Sequence, residues 1–190
     1  MSTVVNRVCS CGSPTCAADV LRIIAGRWRG RRIDTPTGAH VRPTGDRVRE
    51  SWMSIVHHEL PDARVLDLCS GTGALGLEAL SRGATTCDFV DNSPKSLQII
   101  EANIAKVGGH EGAKLHRDDA LRFVAKLGDG AYDVAFADPP YDSGLAEKLA
   151  ECWLSVPFAH IFGIEHSADV VLPGDGELRR YGSTALTFFR

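Results

Sequence analysis

The chain has 190 residues and a formal charge of −3, with 44% hydrophobic and 24% charged residues. That composition suits one soluble globular domain, because a single core of this size buries roughly 70% of the unfolded chain's surface without staples. It does not suit a disordered chain, and no apolar run approaches the roughly 18–20 residues of a membrane-spanning helix. The opening MSTVVNRVCSCGS has no apolar stretch behind a basic head, so a cytoplasmic protein with no membrane partner is expected.

Charge is unevenly placed. Residues 1–50 hold nine arginines against four acids, while residues 51–190 hold twelve Lys and Arg against twenty Asp and Glu. Any polyanion-facing surface therefore belongs to the front quarter, although a merely solvated arginine face has the same composition. Of six cysteines, Cys69, Cys87 and Cys152 lie in apolar segments, where a reduced thiol behaves as a small hydrophobe. Cys9, Cys11 and Cys16 crowd CSCGSPTC, but their spacing is not a paired C-x-x-C and no fourth ligand is evident. Residues 1–20 read as a flexible tail with incidental thiols and no metal.

In chain order, LRIIAGRWRGRRID (21–34) places short β-prone pieces around Gly26 and Gly30 and predicts a small hairpin. Over 46–60, Val48, Trp52, Ile55, Val56 and Leu60 recur at helical spacing, with Arg47 and Arg49 off the apolar face. Residues 21–60 then form a front extension, and 61–190 a second region with a regular alternation. ARVLDL (63–68) predicts a strand, 73–83 a helix, TTCDFVD (85–91) a strand, and 93–108 a helix with Ser93 as its cap and Pro94 in its first turn. A strand at 113–117, a short helix at 119–127, a strand at 132–138, a helix at 143–154 and a strand at 160–166 follow. LRRY and ALTFF around Gly182-Ser183 close the chain as a hairpin. Repeated β-α units predict an α/β, Rossmann-like fold with a mostly parallel sheet and helices on both faces.

In such a sheet the ligand sits beyond the carboxyl ends of the strands, so the residues ending each strand are the candidates. The first strand ends in DLCSGTGALG. Gly71-x-Gly73-x-x-Gly76 fits the dinucleotide fingerprint, a pattern that alone does not identify its ligand. Asp67, four residues before Gly71, suits a cationic ligand such as S-adenosylmethionine better than a pyrophosphate. Ser70 and Asn92 flank the same loop region. Asp91, at the end of the second strand, accepts from ribose hydroxyls under either reading. Asp118 and Asp119 end the third strand, and Asp119, followed by Ala120, is preferred for the adenine amino group. Helix capping is the competing explanation for each of these acids taken singly, and the three together are harder to assign to capping alone.

The fourth strand ends in ADPPYD. An exocyclic amino group is a poor nucleophile because its lone pair is delocalised into the ring. Two acceptors pulling on its N–H bonds favour a pyramidal nitrogen. Asp138 supplies one and the Pro139 carbonyl the other, on a backbone held by Pro139 and Pro140, while Tyr141 offers a flat face for the base. Orientation and electrostatics carry this chemistry, with no metal.

DLCSGTGALGLEALSRGA together with ADPPYD resembles the class I S-adenosylmethionine-dependent methyltransferases that modify amino groups. RIIAGRWRGRRI, RPTGDRVRESWMSI and YGSTALTFFR narrow the resemblance to the bacterial RsmD family of 16S ribosomal RNA guanine-N2 methyltransferases, over residues 21–190. The resemblance implies a seven-stranded sheet with a front β-hairpin, S-adenosylmethionine as cofactor, and a monomer acting on 16S RNA or a small ribosomal subunit particle. It implies that Asp67, Ser70, Gly71, Gly73, Asp91, Asn92, Asp119 and Ala120 hold the cofactor, and that Asp138, Pro139, Pro140 and Tyr141 meet the target base. Arg22, Arg27, Arg29, Arg31 and Arg32 around Trp28, with Arg42 and Arg47, then suit phosphate contact and stacking on an unpaired base. Glu165 reads either as an assistant to the base or as a sheet-edge acid without chemical duty. Three other readings stay open: an adenine-N6 or cytosine-N4 DNA methyltransferase, a non-catalytic RNA-binding module, and a dehydrogenase, which leaves DPPY unexplained.

Overall fold

The computed structural model describes residues 21–35, 43–108 and 111–190. Cys9, Cys11, Cys16 and Arg42 lie outside the described residues. The elements run α1 (Pro43–Ile55), β1 (Arg64–Leu68), α2 (Ala74–Ser81), β2 (Thr86–Asp91), α3 (Pro94–Lys106), β3 (Ala113–Arg117), α4 (Ala120–Val124), β4 (Tyr132–Ala137), a 3₁₀ turn (Tyr141–Ser143), α5 (Leu145–Ser155), β5 (Ala159–Ser167), β6 (Glu177–Tyr181) and β7 (Thr184–Phe189). The predicted α/β alternation is present throughout, and the boundaries shift by a few residues. Ser93 caps α3, accepting from the Ser96 N–H at 3.3 Å, with Pro94 in the first turn.

The sheet has seven strands in the order β3-β2-β1-β4-β5-β7-β6 and is mixed. β1 pairs in parallel with β2 and β4, β2 with β3, and β4 with β5, whereas β7 runs antiparallel to both β5 and β6. Strand order reverses between β1 and β4, and a crevice opens at such a point because the chain leaves the two strand ends toward opposite sides.

Strand alternation sorts the core into two layers. Val65, Cys87, Phe89, Val134 and Phe136 pack with α1, α2 and α3, while Leu66, Leu68, Ala135, Ala137, Phe162 and Ile164 pack with α4 and α5. Trp52 of α1 is fully buried edge-on against Phe136 and Phe188, with ring centroids 5.2 and 5.3 Å apart. Gly163 leaves room for it, since a Cβ there would lie 2.4 Å from the Trp52 ring. Among the described residues, no helix is long and apolar enough to cross a membrane.

The predicted front hairpin is not a two-strand ladder. Residues 21–33 form a loop closed by a single antiparallel bridge between Arg22 and Arg32, with Ile23 N–H bonded to Arg31 O and Ile33 N–H to Leu21 O, each at 3.0 Å. Leu21, Ile23, Trp28 and Ile33 belong to the core layer of α1, α2 and α3. Attachment to α2, rather than its own pairing, shapes the loop. Glu78 carboxylate oxygens accept the N–H groups of Ile24 at 2.7 Å and Ala25 at 2.9 Å. The Ser81 hydroxyl donates to Ala25 O at 2.6 Å and accepts from Trp28 N–H at 3.0 Å, and Arg27 N–H reaches Ser81 O at 2.9 Å. Gly26 (φ 81°) is required at this approach, since any Cβ would fall 1.9 Å from Ser81 O.

Candidate active site

The glycine loop begins at Cys69, a non-glycine residue at φ 56°, a backbone strain that concentrates at functional sites. The Ser70 hydroxyl bonds to Asp67 O at 2.5 Å and Val90 O at 3.1 Å, tying the loop to β1 and β2. Gly71 N–H donates to Asp91 Oδ2 at 2.9 Å, and Ser93 N–H to the other Asp91 oxygen at 2.8 Å. Gly73, left-handed at φ 75°, starts α2, and Gly76 N–H donates to Asp67 Oδ2 at 2.9 Å. Asn103 of α3 accepts Asp34 N–H at 2.6 Å and donates to Asp34 O and Thr72 O, both at 3.0 Å. One buried amide therefore joins the front segment to the glycine loop.

At the switch point lies a cavity of about 490 Å³, within the range of small-molecule sites. Its walls are Cys69, Val90, Asp91, Asn92, Asp118, Ala120, Asp138, Pro139, Pro140, Tyr141 and Glu165. A smaller cavity of about 200 Å³ adjoins it, walled by Leu21, Gly45, Arg49, Trp52, Thr72, Ala74 and Leu75 and again by Asp138 and Glu165. Arg49 is buried and donates to Arg22 O at 2.8 Å, so α1 and the front segment roof the smaller cavity together.

Electrostatics favour a cationic ligand in the larger cavity. Asp91, Asp118, Asp138 and Glu165 line it, and among its described lining residues there is neither lysine nor arginine; Asp118 is already paired, with Lys126 Nζ at 2.5 Å and Arg122 Nε at 3.7 Å, so Asp91, Asp138 and Glu165 carry the negative field. Burial pushes the Asp67 carboxyl well above its ordinary range, opposed by the Gly76 N–H and reinforced by the charges of Asp138 and Asp91. Asp138 is pushed up to about 7, first by its depth in the domain and then by the Glu165 charge. Its side chain nevertheless meets water in the open cleft, which screens part of this effect. Burial also raises Glu165, opposed by the Tyr141 hydroxyl and by the Trp52 indole, whose N–H lies near Glu165 but outside hydrogen-bonding geometry. Tyr141 keeps its ring partly exposed while its hydroxyl donates to Glu165 Oε1 and meets Thr184 Oγ1, both at 2.8 Å.

The structure thus brings Asp91, Asn92, Ala120, Asp138, Pro139, Pro140 and Tyr141 around one cavity. It places other expected residues differently. Asp119 does not line the cavity but caps α4, accepting Arg122 N–H at 3.0 Å, and its neighbour Asp118 faces the cavity instead. Asp67 is buried behind the loop as a strut for Gly76, and Ser70 is committed to backbone oxygens. Trp28, expected to stack on a base, is only 6% exposed and carries the Arg27 guanidinium 4.3 Å above its ring, so it is a core residue. Arg22, Arg27, Arg29, Arg31, Arg32 and Arg47 are all exposed. Sequence reasoning missed Glu78, Ser81 and Asn103 as anchors of the front segment. An acid inside the apolar run ALGLEALS was the available signal, because a carboxylate on a buried helix face needs partners.

Residues 21–171 match the model of a protein family described as conserved hypothetical protein 95. The chain belongs to this family. A ribosomal RNA small subunit methyltransferase D from Escherichia coli (strain K12) is 38% identical over 128 residues, 67% of this chain and 64% of that protein, so the chain spans about two thirds of the relative's length. The Haemophilus influenzae protein of the same name is 30% identical over 178 residues, covering 90% of this chain and 92% of that one. Among solved structures, a hypothetical protein of Thermus thermophilus superposes with a TM-score of 0.77 at 31% identity, over 89% of this chain and 98% of that one.

Proposed function

We propose that this RsmD-family chain is a methyltransferase that uses S-adenosylmethionine to modify the exocyclic N2 amino group of a guanine in 16S ribosomal RNA, acting in the cytoplasm as a monomer on the RNA or a small-subunit particle. The observation that carries the reading is the Asp138-Pro139-Pro140-Tyr141 turn placed at the switch point, on the wall of an acid-lined cavity. Relatives named as ribosomal RNA small subunit methyltransferases support the RNA substrate class.

The cavity residues fit the cofactor. S-adenosylmethionine supplies an electrophilic methyl on a sulfonium centre, and its cationic groups suit a pocket walled by carboxylates. Asp91 would meet the ribose and Asp118 or Ala120 the adenine, with Asp67 supporting the glycine loop from beneath. Asp138 accepts one N–H of the target amino group and the Pro139 carbonyl the other, localising the nitrogen lone pair. Tyr141 offers its partly exposed ring for stacking, with its hydroxyl already anchored. An Asp138 carboxyl near neutrality also takes the proton that the methylated nitrogen releases, at a carboxylate oxygen. The exposed arginines of the front segment contact phosphates.

The test is transfer of labelled methyl from S-adenosylmethionine to unmethylated small subunits, naked 16S RNA and duplex DNA, with nucleoside and protein fractions analysed separately. N2-methylguanosine from the ribosomal substrates is expected, and label confined to DNA or ribosomal protein overturns the reading. Asp138→Ala should abolish transfer even at saturating S-adenosylmethionine, with cofactor binding still measurable.

A further inference from the structure

Asp138 and Glu165 are the two residues common to both cavities. Their side chains leave the sheet on one face. Phe136, two residues before Asp138, and Gly163, two before Glu165, both face Trp52, and alternate residues of a strand share a side. Ala137 pairs with Ile164, so Asp138 and Glu165 stand at the next position of adjacent parallel strands. Tyr141 fixes the orientation of Glu165 through its hydroxyl, which donates to Oε1 at 2.8 Å. The mechanism above uses Asp138, Pro139 and Tyr141, and gives this second acid no duty.

The amino-bearing bases differ in the ring atom beside the amino group. N2 of guanine stands between N3, an acceptor, and N1–H, a donor, so on the N1 side it presents two contiguous donors. Beside N6 of adenine and N4 of cytosine stands a ring nitrogen with a lone pair. An ionised carboxylate only accepts. Adjacent acids therefore match the contiguous donors of guanine, whereas a ring lone pair set against the second acid is repelled and leaves that acid unpaired.

We infer that Glu165 accepts the N1–H of the target guanine while Asp138 holds its N2 amino group, so that the acid pair selects guanine over adenine and cytosine. The inference rests on the guanine-N2 reading above and assigns the residue that enforces it. Tyr141 has two roles here, as a stacking face and as the clamp that orients Glu165.

The experiment compares small-subunit RNA carrying guanosine at the nucleotide methylated by the wild type with the same RNA carrying 2-aminopurine riboside there. The analogue keeps the 2-amino group but has a lone pair at N1. The wild type should prefer guanosine in kcat/KM by on the order of 10–100-fold, the worth of one hydrogen bond to a charged acceptor. Because the analogue also lacks the 6-oxygen, Glu165→Gln isolates the N1 contact: its amide can present a donor to the bare nitrogen. This variant should lose about tenfold of the preference, read as the ratio of the two RNAs on the same enzyme at saturating S-adenosylmethionine, so that any change in cofactor affinity cancels. An unaltered preference in the variant, or a wild type indifferent to the replacement, overturns the inference. The wild-type comparison needs no variant, so a Glu165→Gln chain that fails to fold still leaves it refutable. Failure of the wild type to methylate any guanine amino group overturns the underlying reading instead, which separates the two failures.

Discussion

Glu78→Gln is the sharpest probe of how the front segment is held. The side chain is 0% exposed, and its carboxylate serves Ile24 N–H, Ala25 N–H and the Arg82 guanidinium, the last at 2.9 Å. Glutamine keeps the shape but replaces one acceptor oxygen with an NH2 that faces donors. At least one backbone N–H is then stranded, at about 1–3 kcal/mol, and Arg82, only 12% exposed, loses its counter-charge. Breaking a buried pair of this kind costs about 3–5 kcal/mol. For a chain of this size each kcal/mol moves Tm by roughly 2–4 °C, so a fall of roughly 6–20 °C is expected. Amide exchange should accelerate first at Ile24 and Ala25, and RNA methylation should fall by more than cofactor affinity, because the displaced loop carries the arginines. Glu101→Gln, on the exposed side of α3, is the control and should leave Tm unchanged. A Tm within about 2 °C of wild type, or unchanged exchange at Ile24 and Ala25, would refute the anchoring argument.

Other perturbations follow from the same geometry. Around Asp138 stand Glu165 from β5, Tyr141 from the 3₁₀ turn, Cys69 from the glycine loop and Arg49 from α1. Its acceptor form is the ionised one, and its pKa is raised, so kcat/KM for RNA should rise with pH through about 7 and fall below it. Glu165→Gln removes a negative neighbour and should move that midpoint to lower pH; a midpoint that stays put in pH–rate profiles would contradict the coupling. Gly76→Ala would place a Cβ 2.3 Å from the Phe89 ring and 2.6 Å from Cys87 Sγ, an overpacking cost of about 1–3 kcal/mol that a thermal melt should register as a lower Tm. Replacing exposed Arg29 and Arg32 with alanine should weaken RNA binding and flatten its salt dependence, by about 0.7 in the log–log slope for each single-strand phosphate no longer neutralised, with S-adenosylmethionine affinity intact. An unchanged slope in salt titrations would remove these residues from the RNA surface.

The alternation of elements was legible in the chain because its cues are local. Ser93-Pro94 starts α3, and ADPPY follows a strand wherever that strand lies. The cleft was legible too, since strand ends gather at a switch point in any sheet of this class. What the sequence by itself determined was therefore the fold class, the cavity wall built from the strand ends, and the turn from Asp138 to Tyr141. Three-dimensional packing decided the rest. Asp118 and Asp119 are adjacent, and which one caps α4 and which faces the cavity depends on the angle at which the chain leaves β3. Trp28 sits among arginines in sequence but is driven into the core, because a large indole beside α2 gains more from burial than from solvent. Glu78, Ser81 and Asn103 meet partners 31 to 69 residues away, and Glu165 gains its neighbour Asp138 only through the pairing of β4 with β5. Contacts at such separations leave no periodic trace along the chain, and only the closed sheet and its covering helices bring them into register.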